Sequence, residues 1–78
     1  MKGVKVLYFA SLRELLGHAE QQIEVVDAIT AQAVWHQLNP HIALPESCLV
    51  AINQEYANLS SVVQAGDEVA FFPPVTGG

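Results

Sequence analysis

The sequence predicts an α+β domain in which a mixed sheet packs on one main helix. Two observations carry this prediction. The first is the order of the predicted elements, which is strand, short helix, strand, helix, strand, short strand, strand. The second is the composition, because 51% of the 78 residues are hydrophobic and only 14% are charged. Such a chain is too apolar for intrinsic disorder and has enough apolar side chains for one small core.

The first predicted strand covers residues 2–9. Apolar side chains alternate along one face, and Leu7 and Phe9 make the opposite face apolar as well. A strand with two apolar faces is typical of the middle of a covered sheet. We therefore expect this strand to be central and to be covered on both sides at one end.

A short helix is predicted over residues 11–17. Ser11 and Glu14 have the spacing of a capping box, in which the two side chains satisfy free backbone N–H groups. The leucines at positions 12, 15 and 16 form one apolar face. Gly17 can adopt the left-handed conformation that ends a helix. Because so short a helix does not persist alone in water, it must dock on the body of the domain.

The main helix follows a second strand at residues 21–26. Thr30 is the predicted N-cap, with a hydrophobic staple between Ile29 and Val34. Pro40 ends the helix, because the residue before a proline avoids helical geometry. The predicted buried stripe consists of Ala31, Val34, Trp35 and Leu38.

The second half of the chain supplies the remaining strands. A turn is predicted at Gly66 and Asp67. The β-grasp arrangement of ubiquitin is the simplest topology for this order of elements. We expect residues 1–72 to form the β-grasp domain and residues 73–78 to form an extended, flexible tail. The other predictions are a loop at 39–47, a strand at 48–53, a turn and short strand at 53–59, an irregular segment or single helical turn at 60–65, and the last strand at 68–72.

Charge and composition exclude several functions. The formal net charge is −5, with three Lys and Arg residues against eight Asp and Glu residues, so the chain lacks the basic footprint of a nucleic-acid binder. Anionic membrane surfaces are disfavoured for the same reason. The acidity fits either a partner with a basic surface or simple solubility. A lone cysteine, no long apolar stretch and no signal-peptide pattern predict a cytoplasmic protein.

The C-terminal segment carries the most specific signal. Strand pairing is expected to stop after Phe72, because the two prolines that follow cannot donate to a sheet ladder. Consecutive prolines favour an extended conformation, and Gly77 and Gly78 permit close approach within a narrow channel. The reactive group on offer is then the terminal carboxylate of Gly78. Once activated by ATP as an acyl-adenylate, it could be attacked by an amine or by a sulfur donor.

The chain resembles a known family, the small, sulfur-carrying subunits of molybdopterin synthase. The resemblance covers nearly the whole chain, although residues 26–47 match in pattern only. The C-terminal block, which ends in Phe-Phe-Pro-Pro-Val-Thr-Gly-Gly, is highly specific, and the other blocks support it. The matching blocks are residues 6–10, 12–15 with Gly17, 50–54 and 66–78.

This resemblance implies a β-grasp fold and a thiocarboxylate at Gly78. An adenylating enzyme of the ubiquitin-activating type would load it with the use of ATP. The tail would then enter the large subunit of molybdopterin synthase and give sulfur to cyclic pyranopterin monophosphate, which forms the dithiolene. The implied assembly is a heterotetramer, in which the chain is not catalytic alone and binds no cofactor or metal. By position, Gly78 bears the sulfur, Gly77 is its permissive neighbour, and the docking arm is Phe72, Pro73, Pro74, Val75 and Thr76.

Three alternatives stay open. The chain could carry sulfur for another pathway, such as thiazole synthesis or the thiolation of an amino acid or RNA. It could be a ubiquitin-like modifier that is joined to lysines through Gly78. It could also be a plain interaction domain with an inert, frayed end. The N-terminal block and the Phe-Phe-Pro-Pro sequence favour the molybdopterin pathway.

The aromatic residues near the two chain ends predict a partner site. Tyr8, Phe9, Phe71 and Phe72 are more aromatics than one face can bury, so we expect at least one exposed pair near the tail. Cys48 is interpreted as a small core residue rather than as a sulfur relay. The three histidines at positions 18, 36 and 41 lack metal-ligand spacing.

Overall fold

The computed structural model describes residues 3–45 and 47–74. Within these ranges the chain forms two helices and seven strands. The helices are α1 (Ser11–Leu16) and α2 (Ala31–Leu38). The strands are β1 (Gly3–Tyr8), β2 (Glu20–Glu24), β3 (Ile29–Thr30), β4 (Leu49–Ile52), β5 (Glu55–Ala57), β6 (Val62–Val63) and β7 (Glu68–Phe72).

Five strands form a mixed sheet in the order β2-β1-β7-β4-β5. The first and last strands of the chain, β1 and β7, lie side by side and run parallel, with Tyr8 opposite Phe71. The other pairings in this sheet are antiparallel. Together with α2 on one face, this is the β-grasp arrangement that the sequence predicts. The topology places both β1 and β7 in the centre, so the prediction of a central first strand is confirmed.

The core lies between α2 and one face of the sheet. Trp35 is fully buried, and its ring makes edge-on contacts with Phe71 and Tyr8 at centroid separations of 5.2 and 5.9 Å. Aromatic pairs of this geometry contribute about 0.5–1.5 kcal/mol beyond the burial of their area. The N-cap of α2 is as predicted, because the Thr30 hydroxyl accepts a hydrogen bond from the Ala33 N–H at 3.1 Å. Leu38 is half-buried against the same core.

A polar bridge ties the core to the outer elements. The Tyr8 hydroxyl donates to Gln21 Oε1 at 2.7 Å and accepts from Asn39 Nδ2 at 3.2 Å. These bonds connect β1 with β2 and with the residue that ends α2. Asn39 is itself buried, at 7% exposure, so its amide depends on this partner.

Helix α1 differs from the prediction at its beginning. Its N-cap is Ala10, and no side chain caps it, so the predicted Ser11–Glu14 capping box is wrong. Ser11 is already the first helical residue, which removes it from the capping position. Leu15 is 56% exposed rather than part of the buried face, whereas Leu12 is buried. The end of the helix is as predicted, because Gly17 has a φ of 79°.

A second small sheet was not predicted. Strands β3 and β6 pair antiparallel, with Ile29 opposite Val63. Residues 60–65 were predicted as irregular or as one helical turn, and that prediction is wrong for β6. A two-residue strand shows no periodicity in a sequence, and only tertiary pairing reveals it. Neither described helix is long and apolar enough to cross a membrane.

Candidate functional site

The face of the sheet that points away from α2 carries an open apolar groove of about 640 Å³. Its floor is formed by Leu7 of β1, Ala70 of β7 and Ala51 of β4. Phe9 forms part of the wall and is 45% exposed. The prediction that β1 is covered on both sides is therefore wrong for this chain alone. The same alternation that fills the core with one set of side chains leaves the other set facing outward.

The C-terminal tail begins at this groove. Strand β7 ends at Phe72, and Pro73 and Pro74 then line the groove, half-buried. The prediction that pairing stops at the prolines is confirmed. The predicted site residues Val75, Thr76, Gly77 and Gly78 lie outside the described residues.

The predicted exposed aromatic pair is confirmed only in part, because one of its two members is exposed. Tyr8 and Phe71 are buried, whereas Phe9 is exposed and Phe72 is half-buried, and both line the groove. Phe72 also contacts Tyr56 of β5, with ring centroids 5.9 Å apart and 50° between the planes. Tyr56 is 80% exposed and was not identified from the sequence. Its place beside Phe72 depends on the pairing of β5, β4 and β7, which local sequence does not specify.

A polar clasp supports the rim of the groove. Asn53 Nδ2 donates to Asp67 Oδ1 at 3.1 Å, and Asn53 Oδ1 accepts from the Glu68 N–H at 3.0 Å. Hydrogen bonds from the Gln64 N–H and then from Asn53 lower the pKa of the Asp67 carboxyl below its usual 3.8. The clasp holds the β4–β5 turn against the start of β7. As a result, Gln54 and Glu68 become the polar rim of an otherwise apolar groove.

The other residues considered from the sequence lie away from this groove. Cys48 is 9% exposed within the core cluster, as predicted, and burial raises the pKa of its thiol. His18, His36 and His41 are exposed. Across residues 3–45 and 47–74, no group of three or more His, Cys, Asp or Glu side chains could hold a metal ion.

The groove is suited to binding rather than to bond chemistry. Its surface is mostly apolar, and exposed apolar patches with a polar rim mark protein interaction sites. It lies where the tail leaves the domain, so a protein bound in the groove would contact the tail as well. Of the residues that line the groove, the family resemblance predicted Phe72, Pro73 and Pro74 as part of a docking arm. The alternation predicted that Leu7 and Phe9 share one face of the first strand, but that face was expected to be covered, so the open groove was not predicted.

Known proteins are similar to this chain over nearly its whole length. The profile of the ThiS family matches residues 6–78. The molybdopterin synthase sulfur carrier subunit of Haemophilus influenzae is 48% identical, over 96% of this chain and 99% of that protein. The protein of the same name from Chlamydomonas reinhardtii is 40% identical, over 96% and 98%. The crystal structure of small archaeal modifier protein 1 from Haloferax volcanii superposes with a TM-score of 0.77 at 26% identity, over 96% of this chain and 100% of that one.

Proposed function

We propose that this chain, which belongs to the ThiS family, carries sulfur for molybdenum cofactor biosynthesis. The observation that carries the proposal is the 48% identity, over nearly both full lengths, to a molybdopterin synthase sulfur carrier subunit. The apolar groove at the root of the tail supports it, because a carrier must dock on other proteins while it presents its end to them.

The proposed chemistry takes place at the carboxylate of Gly78. An adenylating enzyme joins this carboxylate to the AMP portion of ATP and releases pyrophosphate. Hydrosulfide released by a sulfur donor then attacks the carbonyl carbon, so that a C–S bond forms, the C–O bond to phosphate breaks, AMP leaves and the sulfur loses its proton. The resulting thiocarboxylate gives its sulfur to cyclic pyranopterin monophosphate in the large synthase subunit. Each thiocarboxylate delivers one sulfur atom, and hydrolysis of the acyl–sulfur bond then returns Gly78 to a carboxylate that can be reloaded, so the two sulfur atoms of the dithiolene require two loaded chains.

In this proposal the groove binds the partner protein and the tail presents the reactive end. The groove offers Phe9 and Phe72 to an apolar surface of the large subunit, and Pro73 and Pro74 stiffen the exit of the chain. A stiff exit lowers the entropy lost when a tail is inserted into a channel. From Pro73 to Gly78 the chain can reach about 20 Å when it is extended. Two partners are proposed. One is the adenylating enzyme. The other is the large synthase subunit, of which two copies form a heterotetramer with two copies of this chain.

A ubiquitin-like modifier is the second candidate. It is favoured by the likeness to small archaeal modifier protein 1, at a TM-score of 0.77. In that case an amine of a target lysine, rather than sulfur, would attack the adenylated Gly78. Denaturing gels of cells that make the chain and its activating enzyme distinguish the two. Conjugates of higher mass that persist under reduction support the modifier, and their absence beside a labelled thiocarboxylate supports the carrier. A carrier for thiazole synthesis or another thiolation would bind a different acceptor enzyme.

The docking proposal is tested by the variant Phe9→Ala. Full burial of a phenylalanine side chain contributes about 1.5–3 kcal/mol, and Phe9 is 45% exposed, so loss of this contact should weaken binding to the large synthase subunit by roughly 3- to 10-fold. Isothermal titration calorimetry measures the dissociation constants.

The matched control for Phe9→Ala is Leu15→Ala. Leu15 is also a large exposed apolar side chain, at 56%, but it lies on α1 and does not line the groove. It should leave binding unchanged. Equal affinity of the wild type and Phe9→Ala would contradict docking through the groove, and absence of binding by the wild type would contradict the choice of partner.

A further inference from the structure

The connection between β1 and α1 contains a strained alanine. Ala10 has a φ of 53° and a ψ of −126°, which are the dihedrals of the first central position of a type II′ turn. The Leu12 N–H donates to the Phe9 carbonyl at 3.1 Å and closes this turn. Glycine is the usual residue at that position, because a Cβ atom there meets its own backbone. The chain therefore retains a methyl group where glycine would fold with less strain.

The chain uses glycine at two other tight reversals. Gly17 has a φ of 79° and Gly66 a φ of 94°, and an added Cβ at either would meet nothing within 4 Å. Ala10, in contrast, is exposed and lines the apolar groove beside Phe9. The chain thus keeps a side chain at Ala10, which borders the groove, and has none at Gly17 and Gly66, which face open space.

A second residue with positive φ lines the same groove. Among the described residues, the non-glycine positions with positive φ are Ala10, Asn53 and Gln54. Asparagine tolerates this conformation well, and Asn53 forms the clasp that supports the rim, whereas Gln54 lines the groove together with Ala10. Strain that gathers at one surface points to a function of that surface, because a fold selected for stability alone would relax it.

We infer that Ala10 is an affinity-determining residue of the docking surface, where its methyl group is retained at the expense of stability. The inference rests on the proposed function, since it assumes that the groove binds the large synthase subunit. The turn fixes Ala10 rigidly between β1 and α1, and the Phe9 N–H is held by the Phe71 carbonyl at 3.1 Å. A protein docked in the groove therefore meets a preformed wall and need not order it on binding.

The variant Ala10→Gly separates stability from binding. Relief of the strain should raise the thermal midpoint by about 4 °C or more, even after the added flexibility of the unfolded chain is subtracted. Loss of one buried methyl group should weaken binding to the large subunit by about fourfold or more. A residue with a purely structural role would not move the two quantities in opposite directions.

The matched control is Ala28→Gly. Ala28 is exposed, has no positive φ and does not line the groove, so the same substitution there should lower the thermal midpoint slightly and leave binding unchanged. An Ala10→Gly variant with an unchanged or lower thermal midpoint would overturn the inference. If the wild type binds the large subunit, a variant with a higher midpoint but unchanged affinity would overturn it as well. A wild-type chain that fails to bind the large subunit would refute the proposed function, and the docking role of Ala10 with it.

Discussion

Removal of the Tyr8 hydroxyl tests the polar bridge that joins β1, β2 and the end of α2. In Tyr8→Phe the ring keeps its packing against Trp35 and Phe71, because the variant lacks only the oxygen. The variant loses the bonds to Gln21 at 2.7 Å and from Asn39 at 3.2 Å. Each such bond contributes about 1 kcal/mol net, so the free energy of unfolding should fall by about 2 kcal/mol.

Urea unfolding, followed by the fluorescence of Trp35, measures this change. The corresponding loss in thermal midpoint is about 4–8 °C for each kcal/mol in a domain of this size. Tyr56→Phe is the matched control, because it removes the same oxygen from a side chain that is 80% exposed. It should alter the free energy of unfolding by less than about 0.5 kcal/mol. A Tyr8→Phe variant as stable as this control would refute the reasoning.

A double-mutant cycle assigns the loss to the bridge. Asn39 is buried, so Asn39→Ala removes the same bond from the other side. Combination of the two substitutions should cost less than the sum of the single effects, because the second finds the shared bond already absent. Strict additivity would show that the two side chains contribute independently.

Three further outcomes are expected. Thr30→Ala should lower the free energy of unfolding by about 1 kcal/mol, measured by urea unfolding, because the N-cap bond to the Ala33 N–H is lost, whereas Thr30→Ser should retain most of it. Stability should decline at alkaline pH, because burial raises the pKa of Cys48 above its ordinary 9.0 and that of Tyr8 above its ordinary 10.0. The neutral forms are favoured in the folded state, so this stability is complete below those ordinary values and is lost as the pH rises through the folded values. Cys48→Ala should remove the thiol part of the decline in urea midpoints across alkaline pH, and an unchanged decline would contradict it. Deletion of Gly77 and Gly78 should abolish sulfur delivery in a reconstituted synthase assay but leave the thermal midpoint unchanged, because the core residues of the described chain all precede Pro73; a midpoint that falls with the activity would contradict this.

Long-range features of the fold were predictable where the sequence is periodic. The stripe of α2 and the alternation of β7 both repeat over enough residues to set a face, and both are confirmed. The capping box of α1 failed because the II′ turn at Ala10 begins the helix one residue earlier than the Ser11 signal indicates. Strands β3 and β6 were not predicted, because two residues are too few to show an alternation of apolar and polar side chains. Local patterns thus specify the long elements, while tight turns and short pairings depend on tertiary contacts.

The candidate site was predictable where the tail leaves the sheet and not elsewhere. The end of strand pairing follows from the two prolines, whereas the docking role of Phe72, Pro73 and Pro74 was implied only by the family resemblance. Tyr56 and the clasp between Asn53 and Asp67 come from different segments, and only the order β7-β4-β5 brings them to one face. The second apolar face of β1 was noticed but was interpreted as covered. The structure instead leaves it open as a groove, which is consistent with cover by another protein.

The proposed function depends on a thiocarboxylate at Gly78. The most direct measurement is the intact mass of the protein purified from cells that also make its adenylating enzyme, combined with alkylation that is specific for thiocarboxylates. We expect a mass gain equal to the exchange of one oxygen for one sulfur, and a label that maps to Gly78. The chain without Gly77 and Gly78 should remain unlabelled. An unmodified carboxylate in the presence of an active adenylating enzyme would rule out Gly78 as a sulfur carrier.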